Sequence, residues 1–158
     1  MERPLDTPLI YDVGMHNGDD SAHYLAKGFR VVGVEANPAL CAACEHRFSA
    51  AIAEGRMTIV NTGVGASVAR LPFHINLRET QISTFALPKV INEEWATIDV
   101  DVSPLSTLIE HHGRPYYVKI DVEHFDQVVL EDLHRAGICP QYISAEAHQL
   151  EVFDWLLC

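Results

Sequence analysis

A chain of 158 residues has the length of one domain, and with 48% apolar and 21% charged residues it is globular in composition rather than disordered or fibrous. Its 22 acidic residues against 11 lysines and arginines give a formal net charge of −11, a field that repels phosphate backbones and anionic bilayers and so argues against nucleic acid and membrane as partners. No apolar run reaches the ~20 residues of a membrane span, and Met1-Glu2-Arg3-Pro4 lacks the basic and then apolar stretch of a signal peptide, so a cytoplasmic protein is expected.

Short β-rich runs alternate with helical patterns along the chain, which predicts an α/β fold with a mostly parallel sheet flanked by helices. The first run, Leu9 to Val13, leads into Gly14-Met15-His16-Asn17-Gly18, with a helix starting at Asp19 or Asp20 as cap and stopping at Gly28. A second strand, Phe29 to Glu35, is followed by Asn37 as cap and Pro38 at the first helical position. Leu40, Cys44, Phe48 and Ile52, four apart, predict one helix up to Gly55. Met57 to Val60 is a third strand, with a loop over Asn61 to Gly65. Runs at Leu71 to Ile75 and Ile98 to Val102 suggest an inserted hairpin. Beyond it come a helix from Ser103-Pro104 to before Gly113 and a strand over Tyr116 to Asp121. A helix striped by Phe125, Val129 and Leu133 follows, and then a strand over Tyr142 to Glu146. The last ten residues, Gln149 to Cys158, read as an amphipathic helix whose apolar pattern runs to the final position. No repeat or linker interrupts this order, so residues 1–158 are expected to form a single domain.

In open α/β sheets ligands bind beyond the carboxyl ends of the strands, and acids occupy three such places here: Asp12, Glu35 and Asp121. Gly14 and Gly18 would let a ligand approach the backbone of the first turn, and Glu35 stands where a carboxylate grips both hydroxyls of a ribose. A nucleoside ligand is implied. A dinucleotide would require Gly-x-Gly-x-x-Gly and a helix N-terminus free for pyrophosphate. His16 stands at the third place of that pattern, and Asp19 and Asp20 put negative charge where phosphates would lie. S-adenosylmethionine (SAM), a sulfonium with an ammonium group and no phosphate, suits Asp12, Asp19 and the negative field better than NAD. Cys41 and Cys44 lack a second pair of ligands at finger-like spacing and read as small buried thiols; no metal site is expected.

Together, Tyr11 to Asp20, Val34-Glu35-Ala36-Asn37-Pro38 and Lys119-Ile120-Asp121-Val122-Glu123 resemble the FkbM family of SAM-dependent methyltransferases, over about residues 9 to 150. The resemblance implies a Rossmann-like class I methyltransferase fold and methyl transfer, usually to a hydroxyl oxygen of a sugar or other small natural product. By position it implies that Asp12, Gly14, Asn17 and Gly18 line the methionine end of SAM, with His16 and Asp19 in the same loop. Glu35 would then hold the ribose, Ala36, Asn37 and Val64 the adenine, while Asp121 and Glu123 border the methyl-transfer site. Two departures stand out: His124 occupies a place where the family commonly has glycine, and family members usually continue well beyond the equivalent of Cys158. The chain is accordingly expected to lack the C-terminal strand pair, to be incomplete as an enzyme, and to self-associate through the sheet edge that pair would cover.

Methyl transfer to an alcohol needs a nucleophile held in line and a base that takes its proton. His124, next to Glu123, and His16, in the cofactor loop, are the two histidine candidates for that base. Lys119 is expected to face inward with a packing or ion-pair role, and His148 follows the last strand. Two further readings stay open: a SAM or nucleoside-binding module of the same fold without turnover, and an NAD-dependent oxidoreductase, which has Glu35 and the glycine turn but not the diagnostic loop.

Overall fold

A computed structural model of the chain describes residues 7–89, 92 and 94–146. Five strands form a parallel sheet in the order β3-β2-β1-β7-β8: Met57–Asn61 (β3), Arg30–Glu35 (β2), Leu9–Val13 (β1), Tyr117–Ile120 (β7) and Tyr142–Ala145 (β8). The chain moves outward from β1 in one direction through β2 and β3, then returns to β1's other side with β7, so the order reverses between β1 and β7. Such a switch point opens a crevice at the carboxyl ends of the two strands.

Helices cover both faces of the sheet, as successive side chains of a strand alternate between them. Leu9, Tyr11 and Val13 of β1, with Val32, Val34, Val118 and Ile120, pack against α4 (Leu105–His112) and α5 (Asp126–Arg135) through Leu105, Leu108, Ile109, Val129, Leu130 and Leu133. On the other face Met15, Val31 and Met57 meet α1 (Asp19–Ala26), α2 (Pro38–Arg47) and α3 (Ser49–Ala53) through Leu25, Cys44, Phe48 and Ala51. Among the described residues no helix is long and apolar enough to cross a membrane.

Several expectations are corrected in detail. The single helix over residues 38–54 is two, broken at Phe48, and its buried face is Cys41, Cys44, Phe48 and Ala51; Leu40 is half-buried and Ile52 exposed. Residues three and four apart alternate along a helix face wider than the strict four-residue row, and the break at Phe48 turns that row outward. Neither Asp19 nor Asp20 caps α1. Gly18, in the left-handed region at φ 81°, holds the cap position, and both acids lie in the first turn, where their charge favours the helix dipole. The inserted hairpin is present as β5 (Ala69–Asn76) antiparallel to β6 (Trp95–Ser103). The loop expected over residues 61–65 contributes β4 (Gly63–Val64), which pairs with β6 and makes a second, three-stranded sheet. The helix expected over residues 149–158 and His148 lie outside the described residues.

Gly14 is required by its neighbours. Its φ is 82°, and a Cβ there would sit 1.9 Å from the carbonyl oxygen of Asp121, so the turn after β1 presses directly on the end of β7. Gly28, with φ 89° and nothing within 4 Å of a Cβ, has the backbone requirement without the clash. Gly28→Ala is expected to cost ~1–2 kcal/mol for the left-handed backbone, and Gly14→Ala about 4 kcal/mol or more because close-packed backbone must also move. Urea denaturation of the two variants checks the difference; equal losses would mean that the contact with Asp121 relaxes freely.

Candidate active site at the sheet switch point

The crevice between β1 and β7 opens into a cavity of about 610 Å³, within the ~300–1,000 Å³ typical of small-molecule sites. Its floor is the turn after β1, its walls are the ends of β2, β7 and β8, and its roof is the inserted segment through Thr80, Gln81, Thr84 and Phe85. Two polar contacts tie the roof down. His16 Nε2 lies 2.7 Å from Thr80 Oγ1, and Thr84 Oγ1 donates to the Glu123 carbonyl at 3.2 Å.

Glu35 is the acid of the wall that two backbone N–H groups hold. Its side chain projects to the α1–α2 face at the end of β2, where Oε2 accepts the His16 backbone N–H at 2.9 Å and Oε1 that of Asn37 at 2.8 Å. Burial pushes its carboxyl above the usual range, against the pull of the Asn37 and His16 N–H groups. Each oxygen has a second lone-pair direction, so the carboxylate can accept two more hydrogen bonds without giving up its anchors. Ala36 and Val64, both buried, add apolar wall beside it.

Lys119 organises the other half. On β7 it alternates with the inward Val118 and Ile120, and its ammonium reaches Asp20 at 2.8 Å, Asp12 at 3.3 Å and Asp121 at 3.5 Å. Asp12 is fully buried and also accepts the Ser21 hydroxyl at 2.7 Å. Burial pushes the Asp12 carboxyl above its usual range, while the Lys119 charge and the Ser21 hydroxyl pull it down. For Lys119, burial disfavours the ammonium, but the Asp12, Asp20 and Asp121 carboxylates outweigh it and hold the charge well above the usual lysine range.

The predicted residues separate into three groups. Gly14, His16, Asn17, Asp19, Glu35, Ala36, Val64, Asp121 and Glu123 are brought together around the cavity. Asp12 lies behind Lys119, and Asn37 spends its side chain on Ala39 N at 3.0 Å as the cap of α2. The missing side chain of Gly18 faces the Phe48 ring, 2.5 Å from a Cβ placed there. None of these three, nor the exposed His124, is part of the cavity wall. His124 holds φ 67°, the left-handed region natural to the glycine the family commonly has at this place. Asn17 and Asp19 are bound to each other and to Arg47, which donates to Asp19 at 2.8 Å and to the Asn17 carbonyl at 2.7 Å. The thiols of Cys41 and Cys44 are buried and donate to the carbonyls of Glu35 and His16; burial pushes the Cys41 thiol up to about 12.

A doubly wound sheet with a nucleoside-sized cavity at its switch point, a buried carboxylate at the end of β2 and no Gly-x-Gly-x-x-Gly loop defines the class. Over residues 12–156 the chain matches the methyltransferase FkbM domain, and it belongs to that family. The crystal structure of a methyltransferase FkbM from Methylobacillus flagellatus KT is similar in fold, with a TM-score of 0.56 and 20% identity, covering 86% of this chain and 31% of that one. The chain therefore spans about a third of that protein's length. A search of curated proteins gave no match.

Removing the Lys119 charge leaves Asp12 ionised in a dry site. Lys119→Met is expected to cost ~3–5 kcal/mol at neutral pH. The folded-state pKa of Asp12 would rise further above its unfolded value, so the deficit should be largest above that pKa and shrink as pH falls and the carboxyl takes a proton. Chemical denaturation across pH 5 to 8 measures this; a deficit independent of pH would show that lost packing, not charge, is responsible.

Proposed function

We propose that this chain binds SAM in the switch-point cavity and transfers its methyl group to a hydroxyl oxygen of a sugar or other small hydroxylated acceptor. The observation that carries the reading is Glu35: a buried carboxylate held by two backbone N–H groups, its remaining acceptor directions available to a vicinal diol. The residues present suit the donor. Ala36 and Val64 offer an apolar surface to a base, Glu35 acceptors to a ribose, and Asp19, Asp20 and Asp121 negative charge to cationic groups. Membership of a methyltransferase family supports a SAM-type donor. When bound, SAM supplies an electrophilic methyl group on a sulfonium.

What remains for the protein is to place a hydroxyl and to take its proton. Asp121 and Glu123 border the cavity next to the roof, and the Thr84 hydroxyl fixes the backbone of Glu123. Glu123 lines the cavity and His124 does not, which supports giving the base role to Glu123 in this reading. His16 is a positioning residue: its backbone anchors Glu35 and its ring holds Thr80.

Glu35→Ala is expected to weaken both SAM and S-adenosylhomocysteine by ~1.5–3 kcal/mol, the loss of charge-assisted acceptors, measured by calorimetric titration with circular dichroism as the check on folding. Unchanged affinity would take Glu35 out of the site, and tighter binding of NAD than of SAM would end the methyltransferase reading.

Turnover separates the two base candidates. Glu123→Gln is expected to lower it by ~10²–10⁴ with donor affinity retained, and His124→Ala by less than about tenfold. The reverse order would restore the base role to His124.

A further inference from the structure

The methionine end of SAM carries a carboxylate as well as an ammonium, and a carboxylate that leaves water for a cavity needs a cation or uncommitted N–H groups to receive it. The turn after β1 has little to give. Of its six N–H groups from Gly14 to Asp19, five are committed within the fold: Gly14 and Met15 donate to the Val34 carbonyl, Gly18 to the Met15 carbonyl, His16 to Glu35 and Asp19 to the Asn17 side chain. The Asn17 side-chain amide donates to Asp19, and the His16 ring is engaged with Thr80.

Lys119 is the one lysine or arginine among the described residues of the wall. Its ammonium has three protons to donate. Asp20 at 2.8 Å and Asp12 at 3.3 Å occupy two directions around it. Asp121, at 3.5 Å, stands beyond the ~2.7–3.2 Å of a well-formed N–H···O bond. This third pair is the loosest of the network, and both of its members line the cavity. The Asp121 side chain is 48% exposed against 18% for Lys119, so the carboxylate is the member with room to turn.

The topology puts this pair where the far end of a bound nucleoside would arrive. Lys119 alternates with Val118 and Ile120, which pack on α4 and α5, so its side chain leaves the sheet on the opposite face, the one to which Glu35 projects. The strands β2 and β7 flank β1, two strand spacings or ~10 Å apart. With a ribose held at Glu35, an amino-acid group joined to it through sulfur would reach across β1 toward β7.

Resting on the SAM reading, we infer that Lys119 and Asp121 form the receptor for the α-amino-acid group of the donor: the donor carboxylate takes the third direction of the Lys119 ammonium, and Asp121 exchanges Lys119 for the donor ammonium. A zwitterion is thereby inserted into an ion pair, and each charge that is separated gains an opposite charge in return. A ligand with only one of the two charges would satisfy one member of the pair at the expense of the other.

Calorimetric titration of the full chain tests this with S-adenosylhomocysteine, its decarboxylated and deaminated analogues, and 5′-methylthioadenosine, which has neither charge. S-adenosylhomocysteine is expected to bind about tenfold or more tighter than either single-charge analogue. Lys119→Met combined with Asp12→Asn removes the buried cation together with its buried partner, which spares the fold an isolated charge. Relative to Asp12→Asn alone, the double variant is expected to bring the advantage over the decarboxylated analogue below about threefold, with 5′-methylthioadenosine affinity changed by less than about threefold. Asp121→Asn should do the same to the advantage over the deaminated analogue.

Equal binding of S-adenosylhomocysteine and the decarboxylated analogue overturns the inference, and so does a folded double variant that still discriminates, since the carboxylate would then be held elsewhere. Should circular dichroism show the double variant unfolded, Asp121→Asn decides, and undiminished discrimination against the deaminated analogue overturns the exchange. Binding of 5′-methylthioadenosine as tight as that of S-adenosylhomocysteine would overturn the receptor and leave the nucleoside site standing. Failure of all four to bind would instead remove the SAM reading beneath it.

Discussion

The arrangement around the cavity depends on one ammonium group. Lys119 is where β1, β7 and the first turn of α1 meet electrostatically: without it Asp12 would be an uncompensated charge inside the sheet, and Asp20 and Asp121 would repel each other across the crevice. A parallel sheet with its order reversed between two strands leaves a gap between the loops that follow them. Here the charged network spans that gap beside one backbone hydrogen bond, from the Asp121 N–H to the Val13 carbonyl at 2.9 Å, and Gly14 allows the two loops to touch backbone to backbone. The same lysine that stabilises the switch point also occupies the place where a second cation would otherwise pair with Asp12.

The larger architecture was legible because it follows from periodicity. Strands buried on both faces appear as mostly apolar runs such as Leu9 to Tyr11 and Val31 to Val34, with charged residues at or near their ends, and the helices between them carry caps and terminal glycines. The acids at the strand ends and the first glycine turn could be read from position alone. The roof could not. Thr80, Gln81 and Thr84 are ordinary polar residues in an irregular stretch, and only the pairing of β5 with β6 carries them over the cavity. The hub role of Lys119 was half visible: two residues before Asp121 on a strand it must share that residue's face, but its reach to Asp12 and Asp20 depends on β1 lying beside β7, which is a fact of topology. Backbone conformation was hidden altogether, since nothing local to His124 announces a positive φ.

The inserted sheet has its own small core of Ala36, Phe73, Val100 and Val102, distinct from the two layers that flank the main sheet. Ala36 belongs to the main chain path after β2, so this cluster grows directly out of the wall beside Glu35. The roof is therefore anchored by apolar packing, with the Phe85 ring against Phe73 and Phe125, and by part-buried hydrogen bonds at His16 and Thr84.

The ring of Phe48 fills the space that the absent side chain of Gly18 leaves, at the break between α2 and α3. Residues thirty positions apart in the chain are thus one steric unit. Across the descendants of this sequence the two should drift together: a side chain at position 18 would need a smaller residue at 48 as well as a turn that tolerates the left-handed backbone at φ 81°, so the shape of the first turn is inherited partly through a residue that joins two helices.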